Sequence, residues 1–407
     1  MHEKVSQSSE NNKEVIKKLI KRLHEGEDPV KVKAEFKEVI KSLTPLQISQ
    51  AEEILIREGM PAEEIHHMCD VHLAVMQESL QEDTELAPEG HPVHILMQEH
   101  SLLLEHANEL RDFYKQIKDK ESFDQIIEEL AKIEDIIKHL KASVSHYQRE
   151  ENILFSHLEK YGITQPPKIM WMEHDRIRDI EKNLYTLLDT RDKLDYTEFV
   201  KQFHLHAHGL AEMLAGHFSK ENRVLFPTAI QLFSDVEWID IRKQFDDVGY
   251  CCFTPERADF GLEEELTKPK SAIEEHIVNF GTGSLSFDQL MILFKTLPVD
   301  ITYVDENDKV QFYSEGPDRI FVRTPSVVGR DVRNCHPSKS VDRVLDIING
   351  FRNNKLDKAE FWLELNGRMV FIRYFPLRNQ EGEYKGVLEV TQDITEIRKI
   401  EGEKRLL

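Results

Sequence analysis

The chain has 407 residues, of which 40% are hydrophobic and 31% charged, so it is long enough for two or three domains and is globular rather than disordered. Its formal net charge of −22 argues against nucleic acid and anionic membrane as partners. No apolar run approaches the ~18 residues of a membrane span, and the opening MHEKVSQSSENNKEV lacks the apolar core of a secretory signal.

Residues 1–12 read as a polar tail. A helical domain is expected over 13–82. There apolar residues recur three or four apart, as in Val15, Leu19, Ile20 and Leu23, and Thr44-Pro45 reads as a helix start. A helix opening at Met60-Pro61 carries His66, His67, Cys69 and His72. Cys69 and His72, at i and i+3, are candidates for a metal or haem. Their bland alternative is a core cysteine beside a surface histidine.

A Pro/Gly-rich linker, Glu82–Pro92, precedes the main body at 90–232. Four long helices are expected there, near 92–118, 122–160, 166–190 and 195–232. Short breaks between them favour an up-down four-helix bundle. Residues 234–283, with Gly249, Cys251, Cys252, Pro255 and Pro269, read as a connector with one helix. The period then changes to that of an α+β domain, expected over 284–397. Ile301–Val304 and Val310–Tyr313 read as strands, and Ala359–Leu365, Arg368–Leu377 and Gly386–Thr391 as a meander turning at Asn366-Gly367. Four scattered cysteines (Cys69, Cys251, Cys252, Cys335) fit a reducing cytoplasm better than a disulfide framework.

The 19 histidines lie mostly in the first 220 residues, and metal binding is the commonest reason for such an excess. Two bundle segments repeat one pattern: His146-x-x-x-Glu150 with Ile153-Leu154-Phe155, and His217-x-x-x-Glu221 with Val224-Leu225-Phe226. On a helix, i and i+4 lie ~40° and ~6 Å apart, so each pair can reach one buried centre. The first and third helices each place a histidine on an apolar face, His100 and His174. Four imidazoles and two bridging-capable carboxylates suit a pair of iron ions, and burying both carboxylates without a cation would be costly. His94, His139, His157, His204, His206 and His208 are read as polar lining, surface or surroundings of the site.

The segment resembles the hemerythrin/HHE cation-binding family, on Glu99-His100, His146…Glu150-Glu151, His174 and His217…Glu221 with Leu225-Phe226-Pro227. The resemblance implies a non-haem di-iron four-helix bundle. Arg178 stands where oxygen-carrying members have a further histidine on the third helix, and Glu221 where they have an aspartate one position later. That points away from a five-histidine oxygen carrier. The N-terminal helices resemble a domain of unknown function found ahead of such bundles, on Gly59–Ile65 and Cys69-Asp70-Val71-His72.

The last segment resembles a PAS sensor domain, on Leu297-Pro298, Ile301–Asp305, an Arg319-Ile320-Phe321 helix, Val328–Val332 and Asp393-Ile394-Thr395. Cys335 and His336 at its middle are candidate haem ligands, against a cap or turn role. The ordering of functions is a cytoplasmic sensor of dioxygen, nitric oxide or redox state first. A di-iron enzyme acting on nitric oxide or peroxide, or assisting iron-centre repair, comes second. A haem- or ligand-binding PAS interaction module comes third. A homodimer and an unknown downstream protein are the expected partners, since no kinase, cyclase or DNA-binding segment follows Thr395.

Overall fold

The computed structural model describes Arg22, residues 86–252, Thr254, residues 277–316 and residues 319–403. Cys69 and His72 lie outside the described residues. The chain divides into two compact units, residues 1–261 and 262–407.

The first unit is a bundle of four helical rods. Rod one is α1 (Pro92–Ile117), started by Pro92 and by the His91 side chain, which accepts from the Val93 amide. Rod two is built in pieces: α2 (Ile127–Lys141), α3 (Val144–Arg149), a π-helical turn at Glu150–Leu154, and α4 (Phe155–Lys160). Rod three is α5 (Gln165–Asp189), and rod four is α6 (Tyr196–Lys220), a second π turn at Glu221–Leu225, and α7 (Phe226–Leu232). The uninterrupted second and fourth rods expected from periodicity are thus broken. Both π turns begin at a carboxylate of the repeated motif, and the Phe155 and Phe226 amides bond to the Glu150 and Glu221 carbonyls. Such widened turns are a common feature of functional sites, and in rod four the turn also makes room for Pro227, which has no amide hydrogen.

Two apolar clusters fill the bundle. One gathers Leu103, Ile133, Ile177, Phe203 and Leu214 toward one end. The other gathers Leu96, Ile153, Phe155, Met170 and Phe226. On every rod a polar residue of the motif falls between them. His100 lies between Leu96 and Leu103, and His174 between Met170 and Ile177. The stretch expected as a connector opens with α8 (Asp235–Val248), whose Ser234/Glu237 capping box fixes its start. Trp238, Ile241 and Phe245 of α8 join the second cluster, and Arg242 donates to the Gly90 carbonyl just before α1. Residues 235–248 are therefore part of the bundle's own packing.

The second unit carries a hairpin of β1 (Ile277–Asn279) and β2 (Ser284–Ser286), then α9 (Phe287–Thr296). After these come β3 (Asp300–Asp305), β4 (Val310–Tyr313), α10 (Ser338–Arg352), β5 (Ala359–Leu365), β6 (Arg368–Arg378) and β7 (Tyr384–Asp393). The five later strands form one antiparallel sheet in the order β4-β3-β7-β6-β5. Asn366 and Gly367 both take positive φ at the β5–β6 turn, as a tight hairpin requires. The expected helix at Arg319–Phe321 is not formed. Asp300 takes the Ile320 amide at 2.7 Å, and Arg319 bonds to the Ser314 and Phe321 carbonyls, so side chains fasten this stretch as an irregular loop.

Gly386 faces Asp305 across β3 and β7 with φ of 124°, and a Cβ there would collide with the Val304 carbonyl. Gly386→Ala should therefore destabilise the second unit by about 2 kcal/mol or more. Thermal melting of the full chain, followed by near-UV circular dichroism, checks this; an unchanged transition would show that the strand pair can shift to take the methyl.

Candidate metal centre

All six residues singled out in the bundle meet at one place. His100, His146, Glu150 and Glu221 offer ligand atoms within 4.8 Å of one another, and so do Glu150, His174, His217 and Glu221. The two sets share both carboxylates. Among the described residues these are the groups that could hold a metal, and every member is buried. The Nε2 of His100 lies 3.2 Å from Glu221 Oε2, that of His146 3.4 Å from Glu150 Oε2, that of His174 3.4 Å from the same oxygen, and that of His217 3.3 Å from Glu221 Oε1.

Each imidazole is aimed by its other nitrogen. His146 Nδ1 donates to Glu99 at 2.7 Å, His174 Nδ1 to Glu151 at 2.9 Å, His217 Nδ1 to Glu173 at 2.9 Å, and His100 Nδ1 to Asn222 Oδ1 at 2.9 Å. A carboxylate only accepts, so these contacts place the proton on Nδ1 and leave the Nε2 lone pair for the centre. The four partners follow one rule. Each sits next in sequence to a ligand residue on one rod and reaches the histidine of the following rod, the fourth returning to the first. Residues one apart on a helix differ by ~100°, so when one points inward its neighbour points sideways at the adjacent rod.

Three of the partners are backed by cations. Arg149 donates to Glu99 at 2.6 Å, Arg178 to Glu151 at 2.8 Å and Lys220 to Glu173 at 2.7 Å. Arg178, at the position that departs from the oxygen carriers, thus serves this outer ring. Burial disfavours the Glu173 carboxylate, but His217 and Lys220 outweigh it and hold the group down at about 2.

The geometry asks for cations at the middle. Both oxygens of Glu150 and of Glu221, and the Nε2 atoms of His100 and His146, are buried without a hydrogen-bond partner. The Nε2 atoms of His174 and His217 face each other at 2.9 Å while both Nδ1 protons are engaged elsewhere. Two lone pairs at that distance repel unless a proton or a metal lies with them. Burial pushes the Glu150 carboxyl up, and Glu221 beside it adds to this. Positive charge on His146 and protons shared from His100 and His174 lower it in the metal-free protein, the same stabilisation that cations at the centre would give. The donor set of imidazoles with shared carboxylates fits a pair of iron ions.

Three family models match the chain: a family of unknown function, DUF438, over residues 16–82, the hemerythrin HHE cation binding domain over 91–229, and a PAS domain over 290–395. The bundle belongs to the hemerythrin HHE cation binding family. The chain thus joins a hemerythrin-type, cation-binding bundle to a PAS sensor domain behind the N-terminal DUF438 region. Among solved structures, the C-terminal domain of a Streptococcus mutans protein is 36% identical, covering 31% of this chain and 98% of that one at a TM-score of 0.30. A PAS domain from Colwellia psychrerythraea is 16% identical, with 27% and 97% covered and a TM-score of 0.23. The PAS domain of BvgS from Bordetella pertussis is 20% identical, with 28% and 91% covered and a TM-score of 0.22. No curated protein matches. Among the described residues no helix is long and apolar enough to cross a membrane.

The remaining candidates do not belong to the two four-ligand sets. Cys335 is buried in the PAS core with its thiol 3.4 Å from the Asp331 carbonyl. Burial, with Arg323 nearby, lowers the neighbouring His336 to about 4. His157 donates from Nδ1 to the Ile153 carbonyl and faces Asp240 of α8 at 3.7 Å, a packing role. His139 stacks on His106 and touches Cys252 at 3.3 Å. Motif spacing gave His146, Glu150, His217 and Glu221, and apolar-face position gave His100 and His174, but neither pointed to Glu173 or Asn222. Their signal was their position beside His174 and Glu221.

Proposed function

We propose that the protein is a signalling sensor whose bundle holds two iron ions and responds to dioxygen, nitric oxide or redox state. His100, His146, Glu150 and Glu221 would hold one ion, and Glu150, His174, His217 and Glu221 the other. The observation that carries this is the pair of four-ligand sets sharing two carboxylates. Bound iron would supply a place for a diatomic gas and a store of electrons. The protein's own part is to fix four imidazole tautomers and to exclude water from the centre.

Coupling to a sensor domain favours signalling over storage, and a contact inside the bundle unit supports it. After α8 the chain runs back across the outer ring. The Thr254 hydroxyl donates to Glu99 at 2.5 Å, the Cys251 thiol lies 3.5 Å from Ser145 Oγ, and the Tyr250 ring stacks 4.7 Å from the Arg149 guanidinium. Glu99 holds His146, so the segment leading in sequence toward the PAS domain is one hydrogen bond removed from a ligand.

Hydrogen exchange of residues 249–254 in the iron-loaded protein, before and after nitric oxide or air, tests the reading. A change in protection is expected, and Thr254→Val should lose much of it while keeping its iron. Exchange that ignores both gases would contradict the sensor. Steady catalytic consumption of nitric oxide or peroxide would instead favour an enzyme.

A further inference from the structure

The outer ring has one odd corner. At three corners the histidine leans on a carboxylate that is itself paired with Arg149, Arg178 or Lys220. At the fourth, His100 leans on a neutral amide, Asn222. A cation is still present there: Arg223 follows Asn222, and its Nη1 is buried without a hydrogen-bond partner. The fourth corner therefore has a cation, on the same rod as Asn222, but among the described residues no anion.

In place of that anion there is space. A cavity of about 490 Å3 reaches His100, Asn222 and Arg223. Among the described residues no Asp or Glu lines it. Met97, Leu104 and Phe218 give it an apolar wall, and Ser219 adds a hydroxyl beside Asn222. With Asn222 Oδ1 accepting from His100, its Nδ2 is a donor that remains for a guest. Arginine and an amide donor beside apolar wall suit a carboxylate with a short hydrocarbon body, and the volume is in the range of small-molecule sites.

We propose that this cavity binds a small organic carboxylate, which completes the fourth corner by pairing with Arg223 and Asn222. Glu99, Glu151 and Glu173 carry their own carboxylates at the other three corners; here the guest supplies one beside Asn222. Through Asn222 it bears on His100, so its binding and the state of the metal centre influence each other. That last link rests on the di-iron reading above; the carboxylate site itself does not.

Isothermal titration of hexanoate into the full-length protein, with iron content measured on the same samples, tests the proposal. Hexanoate should bind the native chain. Arg223→Gln should weaken it at least about tenfold, since a charge-assisted pair is lost. Arg223→Lys should fall between the two. Asn222→Glu, which builds the missing carboxylate into the corner, should abolish binding. No heat of binding at about 10 mM would overturn the proposal. So would equal affinity in Arg223→Gln, or binding of inorganic phosphate in preference to hexanoate. Absence of iron with hexanoate still bound would count against the metal reading and leave the site standing.

Discussion

Replacing Glu150 or Glu221 by Ala should empty both metal positions at once. Each carboxylate belongs to both four-ligand sets, so its loss leaves two half-built sites rather than one intact and one broken. Bound iron should fall from about two ions per chain to well below one in either variant. His100→Ala touches only the set it shares with His146, and His217→Ala only the other, so these should retain about one ion. Metal analysis of the four variants, each checked for helicity by circular dichroism, decides it. If the alanine variants at Glu150 and Glu221 load as fully as the native chain, the carboxylates do not bridge.

The second large effect concerns Glu181, on rod three two turns beyond His174. Its carboxyl is 6% exposed and one of its oxygens has no hydrogen-bond partner. The neighbouring Tyr147 and Tyr185 hydroxyls are buried and unpartnered too. Arg178 is the nearby cation, but it is engaged with Glu151 at 2.8 Å and Asp175 at 2.9 Å. Burial therefore dominates, and Glu181 is raised from 4.5 to about 8.

In the folded protein Glu181 keeps a proton that the unfolded chain releases above 4.5. Its contribution is whole below 4.5 and is lost as pH rises through about 8. The loss amounts to as much as roughly 5 kcal/mol. Glu181→Gln removes the titration but keeps the shape. Urea unfolding should show the variant close to the native chain near about pH 5 and more stable than it near about pH 9. A stability difference that does not change between these two conditions would mean that Glu181 is ionised in the fold.

Much of this was legible in the sequence because it depends on periods along one chain segment. The four rods and the inward pairs His146/Glu150 and His217/Glu221 follow from the 3.6-residue repeat. The meander of β5, β6 and β7 follows from alternation and from the Asn366-Gly367 turn. What was not legible depends on how segments sit side by side. The ring of Glu99, Glu151, Glu173 and Asn222 exists only because adjacent rods present their flanks to one another in a fixed sense. Residue spacing within one helix does not state that sense.

The π turns at Glu150 and Glu221 are a compromise between helix continuity and the position of a carboxylate, with no sequence signature beyond Pro227. Helix α8 is the one helix expected in residues 234–283, and its membership of the bundle was readable too. Ser234-x-x-Glu237 followed by Trp238, Ile241 and Phe245 is a capped amphipathic helix, obscured by the Gly and Cys residues that end it. The loop at Arg319 went the other way. The helix that the PAS resemblance implies there is replaced by a loop held by Asp300 and by Arg319.

A dinuclear centre with shared carboxylates is tested by anaerobic titration of the metal-free full-length chain with ferrous iron. Saturation at about two ions per chain is expected, with both lost when Glu150, which belongs to both four-ligand sets, is replaced by Ala. Saturation at one ion, or no binding above that of Glu150→Ala, would contradict it.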